Sequence, residues 1–475
     1  MGLFGPPNIE KLKAKQDLPG LIKALGYTNE ASIRMAAAKA LVEIGAPSVE
    51  PLSAALWDWN SNIRRVAAAQ ALGEIGNTHA VKPLVTALRD KNMNVRCAAA
   101  KSLGQVGDPL AVTPLITLLK DNDVEVRHAA ATAMGEIGDA RAVELLISAL
   151  EDRDADMRHA AAKALGKIGA PAVEKLIVAL NQKEKYNLFK RNEILSQAAS
   201  QALVNIGPPA VHRLVATLAK EDWFLVQSAE NTLVGIGKPA LDALITALHD
   251  SPPKVREHAA KTLGRIGDDR AVEPLMEILA KGEPFIPAIG ALGEIGDPRA
   301  VDLLLAFLDS DDENLPLAAI EALGKIGEDR AVEPLLALLT GDKINRSNAA
   351  AQALGKLRDN RAVDPLLELL EKGLWSHRNL YAQALGEIGD PRAVAPLIAL
   401  LGSLDLEMRK SIASALVRLY QSNRLEQEHR TMILAYRDKI TRPHADKTTY
   451  SMSSDCHEDH GKHEDNFGIG IPFPV

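Results

Sequence analysis

The sequence predicts an all-α solenoid, an α-α superhelix of about thirteen helical hairpins. Three observations carry that expectation: a phrase that returns about every 31 residues, Ala and Leu set at helical spacing within it, and a scarcity of aromatic residues. Of 475 residues 47% are apolar but only 4% aromatic, so the interior must be Ala, Leu, Val and Ile, which let helices approach closely.

Segments such as ALGEIGDPRAVDLL and ALGKIGEDRAVEPL recur along the chain. The second glycine of the phrase marks each unit: Gly45, Gly76, Gly107, Gly138, Gly169, Gly207, Gly237, Gly267, Gly296 and Gly327. Arg358, Gly389 and Tyr420 continue the series in the same slot. Marks stand 31 residues apart, except for 38 between Gly169 and Gly207 and 30, 30 and 29 for the next three. The first helix of a unit follows Gly-Asp-x-Arg, where Asp139, Asp297 or Asp390 supplies a cap. Proline then falls in the first turn, as at Pro83, Pro114 and Pro274, where its missing N–H costs nothing. The second helix carries Ala-Ala-Ala-x-Ala-Leu-Gly-x-Ile and stops at the marker glycine, a residue suited to a left-handed C-cap; helix ends account for the many glycines. One such hairpin cannot bury its own apolar face, so stability must come from stacking on neighbours.

These residues resemble HEAT-like repeats of the phycobilin-lyase type over residues 17–420, after a lead-in at 1–16. The resemblance implies a family whose hairpins serve interaction scaffolds, chromophore lyase subunits and a di-iron deoxyhypusine hydroxylase. The hydroxylase holds its iron with His-Glu dipeptides on repeat helices. Here the only His-Glu pairs, His457-Glu458 and His463-Glu464, fall after the repeats, so a di-iron site on the repeats is rejected.

Counting back from the marker, the residues at steps 9, 5, 4 and 1 are expected to form the buried stripe and those at 10, 6 and 2 the opposite side. In solenoids of this type that polar side lines the concave surface. Its candidates for partner binding are His128, His159, Gln197 and Gln227 at step 10 and Lys101, Lys163 and Lys261 at step 6. The step-2 row mixes Glu with Lys and Arg, which suits a protein better than a phosphate backbone; its bland reading is helix support of the Lys39–Glu43 kind. Cys97, His128 and His159 share one slot in successive repeats, but neighbouring hairpins stand about 10 Å apart, too far for shared metal ligands. Arginines at step 11, including Arg96, Arg127 and Arg158, follow Asp90, Asp121 and Asp152 by six residues and are expected to tie the turns of adjacent layers.

Trp57, Trp59, Trp223, Phe224 and Trp375 fall at turns between the two helices of a unit, and Tyr186 and Phe189 join them in the 182–192 insertion. They are expected to form one aromatic ridge for a partner; the alternative is that each staples its own helix end. The units from the insertion onward depart most from consensus.

A capping helix is expected at 421–440, then an acidic, His-rich, disordered tail at 441–475. Cys456, His457, His460 and His463 there are a candidate set for a transition metal; otherwise no cofactor is expected. Net charge is −7, which disfavours nucleic acid, and no start-of-chain leader or spanning run is read, so the expected setting is cytoplasmic and away from membrane. With no Ser-His-Asp set, phosphate loop or dinucleotide fingerprint, the expected function is a non-catalytic scaffold for a protein or peptide. The second expectation is a chromophore- or cofactor-handling subunit.

Overall fold

The computed structural model describes residues 6–181, 189–282, 284–372, 377–402, 406–422 and 424–436. Two compact units divide the chain, Met1–Ala259 and Ala260–Val475, with the boundary inside the helix Pro253–Ile266. Both have the same construction, an all-α solenoid of hairpins; among the described residues there is no strand. Among the described residues thirteen second helices run from Ala31–Ile44 to Leu406–Gln421, twelve ending at the residue before the marker and the last one residue past Tyr420. Within each unit the second helices lie side by side, and each first helix packs on its own second helix.

The marker aspartate caps a short 3-10 turn that leads into the first helix, and the α-helix itself begins three residues later than the sequence suggests. Asp139 Oδ1 accepts the Arg141 backbone N–H at 2.8 Å over the turn Ala140–Ala142, and the α-helix starts at Val143. The carbonyls of the tight turn feed the next turn of helix, so the chain reverses direction without exposing unpaired amides.

The marker turns fall into two classes. Gly138 is left-handed, φ 73° and ψ 16°, and a capping aspartate follows it. Gly169 has φ 78° and ψ −136°, a region open in practice to glycine alone, and Ala170-Pro171 follows with no capping side chain. In this second class, shared by Gly45, Gly207 and Gly237, the buried Val or Leu that follows, at Val49, Val173, Val211 and Leu241, comes four residues after the mark instead of five. A loop one residue shorter has no room for the capping residue, and the glycine backbone makes up the turn.

The buried stripe differs from the expected one. Step 8 is buried in every repeat, as at Ala37, Ala68, Ala130 and Ala259, whereas step 9 is buried only in some, at Ala98, Ala129 and Ala160, and exposed at Ala36. Steps 5 and 4 are buried throughout, and the Ile at step 1 is half-buried in most repeats. The reason is that a second helix is covered on three sides, by its own first helix and by the second helices before and after it. Helix ends also leave much of the glycine unexplained. A Cβ on Gly135 would stand 2.6 Å from Ala164 Cα, and one on Gly293 2.7 Å from Ala322 Cα. The step-3 glycine therefore exists so that successive second helices meet backbone to backbone.

Arginine rows stitch the layers along the edges of the stack. Arg96 Nη1 donates to the Asp90 carbonyl of its own turn at 3.0 Å, while Nε and Nη2 reach both carboxylate oxygens of Asp121 in the next at 2.9 Å. Arg127 repeats this with the Asp121 carbonyl and Asp152, and Arg65, in the same slot, does so with the Asp58 carbonyl and Asp90. At the marker turns Arg141, Arg299 and Arg392 each grip their own capping aspartate and a backbone carbonyl of the preceding repeat. The expected structural role for the step-11 arginines is what these contacts show.

The closing helix is Gln427–Ala435; Gln421, where the expected 421–440 begins, still belongs to the helix before it, and residues 437–440 lie outside the described residues. Ile433 is buried in the stack end, and Arg430 Nη2 donates to the Ser422 carbonyl at 3.1 Å.

Candidate functional site

The structure places Lys101, Lys163, Lys261, His159 and Gln197 on the exposed side of their second helices, with His128 and Gln227 half-buried. Gln197 and Gln227 also donate along their own helices, to Glu193 at 3.1 Å and Asn231 at 3.3 Å. The step-2 row largely neutralises itself between layers: Lys167 pairs with Glu136 at 3.6 Å, Lys325 with Glu294 at 2.8 Å, and Arg418 with Glu387 at 2.7 Å. Glu43 pairs with Lys13 of the lead-in, so the helix-support reading of Lys39 and Glu43 gives way to a contact between layers. Where it is paired, that row is cohesion within the stack, and recognition needs groups outside those pairs.

A groove on the second helices of repeats 1–3 meets that need. Its volume is about 610 Å³. The floor is apolar, made by Met35, Ile63, Val66, Ala67 and Ala98; the rim is Arg34, Asn62, Gln70, Asn94 and Lys101. A second hollow of about 730 Å³ shares Met35, Ala38, Gln70, Ala98 and Lys101 and extends past Lys39, Glu74 and Gln105. Met35 is 72% exposed and Ile63 42%, which for large apolar side chains on a regular helix face marks a contact surface. Arg34 is held in place by donating from Nη1 to the Tyr27 carbonyl at 2.8 Å. Burial raises the Cys97 thiol above its ordinary range, so at neutral pH it is a small apolar wall and not a nucleophile. Chemically the groove offers an apolar seat with amide and cationic groups around it.

Sequence reasoning passed over Met35, Ile63 and Val66. The signal was present: Met35 and Val66 stand at step 10, where repeats 4–7 carry His128, His159, Gln197 and Gln227.

The described aromatics do not make one compact patch. In the first unit Trp57 and Trp59 belong to repeat 2 and Trp223 and Phe224 to repeat 7, and the four repeats between them imply a separation on the order of 50 Å. Trp59 is 67% exposed and Trp223 73%, yet the Arg65 guanidinium lies 5.5 Å from the Trp59 ring centre, so Trp59 also fastens its own turn. Asp222 caps the helix that opens at Trp223. Phe189 begins the helix Phe189–Ile206, so the end of the 182–192 insertion is helical. Tyr186, Trp375, Cys456, His457, His460 and His463 lie outside the described residues.

Repeats 6–8 replace interior Ala with a polar seam. Glu230, only 6% exposed at a slot that is Ala in most repeats, accepts from His258 Nδ1 at 2.7 Å. Ser200 Oγ and Thr232 Oγ1 are 2.8 Å apart, and Thr232 donates to the Ser228 carbonyl at 2.7 Å. Among the described residues no group of three or more His, Cys, Asp or Glu is placed to hold a metal ion, and no described helix is long and apolar enough to cross a membrane.

A family model for HEAT repeats matches residues 49–124, 112–191, 231–287, 286–355 and 342–417. One for the PBS lyase HEAT-like repeat matches residues 33–56. No curated protein matches. Among solved structures, the complex of CpcE and CpcF of phycocyanin lyase from Nostoc sp. is 23% identical over 48% of this chain and 93% of that one, with a TM-score of 0.34. A Kap121p mutant is 14% identical over 87% of this chain and 54% of its own, TM-score 0.41. Human deoxyhypusine hydroxylase is 24% identical over 59% and 96%, TM-score 0.25. At these values the likeness is one of fold.

Proposed function

Because this chain belongs to the family of HEAT repeat proteins, we propose that it is a non-catalytic scaffold that holds a protein or peptide partner on its second-helix face. The observation that carries the reading is the groove of repeats 1–3, where Met35 and Ile63 stand exposed on helices whose other exposed positions are polar or Ala. Apolar anchors inside a polar rim are how interfaces gather binding energy. Lys101 on the rim is the candidate that joins both hollows, and the Trp57–Trp59 turn leads directly into the helix bearing Ile63 and Val66. His128, His159, Lys163, Gln197, Gln227 and Lys261 extend the same helix face into later repeats.

The test is affinity capture from native lysate with quantitative mass spectrometry, comparing the unaltered chain with Met35→Glu plus Ile63→Glu. Both side chains are exposed, so folding stability should change by no more than about 0.5 kcal/mol each. The specific partner should fall at least about tenfold in recovery. Equal recovery by both chains, or turnover of a substrate by the purified chain alone, removes the proposal.

A second reading, a chromophore-handling subunit, is favoured by one observation: the PBS lyase HEAT-like match at 33–56 covers Met35 and Ala38 of the same groove. Visible absorbance on the purified chain, or uptake of an added bilin with a spectral shift, would support it. A colourless chain that leaves the bilin spectrum unchanged would end it.

A further inference from the structure

In the second unit a cleft of about 770 Å³ is lined by Lys356, Arg358, Arg418 and Arg424, with Glu387 and Ser422. Four cations face one carboxylate there, and two features show that cohesion of the stack does not explain the excess. Along the step-2 row Lys325 meets Glu294 and Arg418 meets Glu387, each one repeat back. Lys356 follows Lys325 instead of a glutamate, and among the described residues it forms no ion pair; Glu321, whose carboxylate it influences from a distance, is bonded to Lys325 at 2.7 Å. Arg358 takes the marker slot in the left-handed region, φ 54° and ψ 36°, where a side chain carries a backbone penalty that glycine avoids. Its guanidinium also forms no ion pair among the described residues, while Arg424 Nη1 donates to the carbonyls of Arg358 at 3.2 Å and Ile388 at 3.0 Å and so fixes the cleft wall. A residue kept in a costly conformation, with its charge unspent, points to a ligand.

We infer that this cleft binds an acidic peptide segment and that its occupant is residues 455–465 of this same chain, DCHEDHGKHED. Five carboxylates and one lysine give the segment four net negative charges with His neutral, against three net positive charges in the cleft. Guanidinium forks take carboxylates in bidentate pairs, which suits Arg358 to Asp and Glu side chains. The described chain stops at Tyr436, after the helix Gln427–Ala435 that follows directly on the Ser422 and Arg424 wall. Eighteen residues lie between Tyr436 and Asp455, a span of at most about 65 Å at full extension. A segment held on the same chain within that reach meets the cleft at an effective concentration on the order of millimolar. That suffices to gather exposed ion pairs that are weak one by one.

The experiment uses the full chain and a fluorescein-labelled peptide of residues 453–467, read by fluorescence anisotropy. Asp455→Asn, Glu458→Gln, Asp459→Asn, Glu464→Gln and Asp465→Asn together neutralise the chain's own segment. The neutralised chain should bind the peptide, and the unaltered chain about tenfold more weakly because its cleft is already filled. Adding Arg358→Gly and Lys356→Gln to the neutralised chain should cost about tenfold in affinity, and 500 mM salt should cost as much again. Arg358→Gly restores the residue that most other repeats carry, so loss of fold is not the cause of lost binding; circular dichroism checks this. Equal affinity for the neutralised and unaltered chains would show a different occupant and overturn the inference. So would undetectable binding, affinity unchanged by the cleft substitutions, or affinity that survives high salt.

Discussion

The two classes of marker turn make opposite predictions for the same substitution, Gly138→Ala against Gly169→Ala. A Cβ at either position meets nothing within 4 Å, so the cost is conformational and not a matter of packing. Gly138 sits in the left-handed region, where an L-residue costs about 1–2 kcal/mol, and the stiffer unfolded chain returns about 0.4–1 kcal/mol. The net loss is about 0.5–1 kcal/mol. Arg358, a non-glycine in this class of turn, shows that the loss is tolerated. Gly169, at ψ −136°, lies where side chains are essentially excluded, and a loss at the upper end of about 1–3 kcal/mol follows.

Because a stack opens locally and not all at once, the assay is hydrogen exchange by mass spectrometry on peptides from the helices that flank each turn. The unfolded-chain gain is common to both variants, so the remaining difference of about 1–2 kcal/mol appears as about five- to thirtyfold faster exchange around Ala155–Ile168 in Gly169→Ala than around Val124–Ile137 in Gly138→Ala. Inserting Asp after Gly169 converts the short loop to the longer class and should bring Gly169→Ala down to the cost of Gly138→Ala. If the two alanine variants exchange alike, or if the insertion leaves the gap unchanged, the assignment of the cost to loop length is wrong.

Three further expectations rest on the charged contacts. Arg65 and Asp90 are 4% and 7% exposed and 3.1 Å apart, so Asp90→Ala, which strands a buried guanidinium, should lower stability by about 3–5 kcal/mol in urea unfolding, far more than any exposed marker-turn pair. Arg141 hydrogen-bonded to Asp139 pulls that carboxyl from its ordinary 3.8 down to about 2. The folded state binds its proton less readily than the unfolded one, so the stabilisation is complete above about pH 5 and is lost as pH falls from 4 towards 2. Acid titration of the urea midpoint should show the loss in the unaltered chain and a shallower one in Asp139→Asn. Glu230→Ala alone should cost about 1–3 kcal/mol by leaving the His258 ring without its carboxylate, whereas Glu230→Ala with His258→Ala should recover most of it; a double variant as weak as the single would show that the seam is not a coupled pair.

The repeat length, the number of hairpins and the role of the step-11 arginines were legible because each depends on one unit and its immediate neighbour. The marker classes were legible too, in Ala170-Pro171 and Lys238-Pro239 against Asp139 and Asp297, though only once loop length was counted. What periodicity alone misplaced was the buried arc. Stripe arithmetic suits a helix covered on one side, and a second helix here is covered on three, which draws Ala37 and Gly135 inside. The spread of the aromatics was hidden for a related reason. Residues at turns of distant repeats share an edge without sharing a neighbourhood, so Trp59 and Trp223, in repeats 2 and 7, do not form one compact patch.

The same nearest-neighbour physics says where function is to be sought. When every layer satisfies its charges by pairing one repeat back, as Lys325 and Arg418 do, the consensus face has little chemistry left to offer a ligand. Recognition then belongs to positions where a layer breaks the rule at some cost: an exposed Met35 where water contacts an apolar chain, a buried Glu230 where Ala would do, an Arg358 where glycine is easier. Such departures are affordable because their strain stays within one or two layers, while the rest of the stack supplies stability. Restoring the consensus residue at the exposed two, Met35 and Arg358, therefore separates the two roles. Stability should hold or rise at Met35→Gln and Arg358→Gly, and binding should fall, whereas consensus changes at ordinary surface positions should move neither.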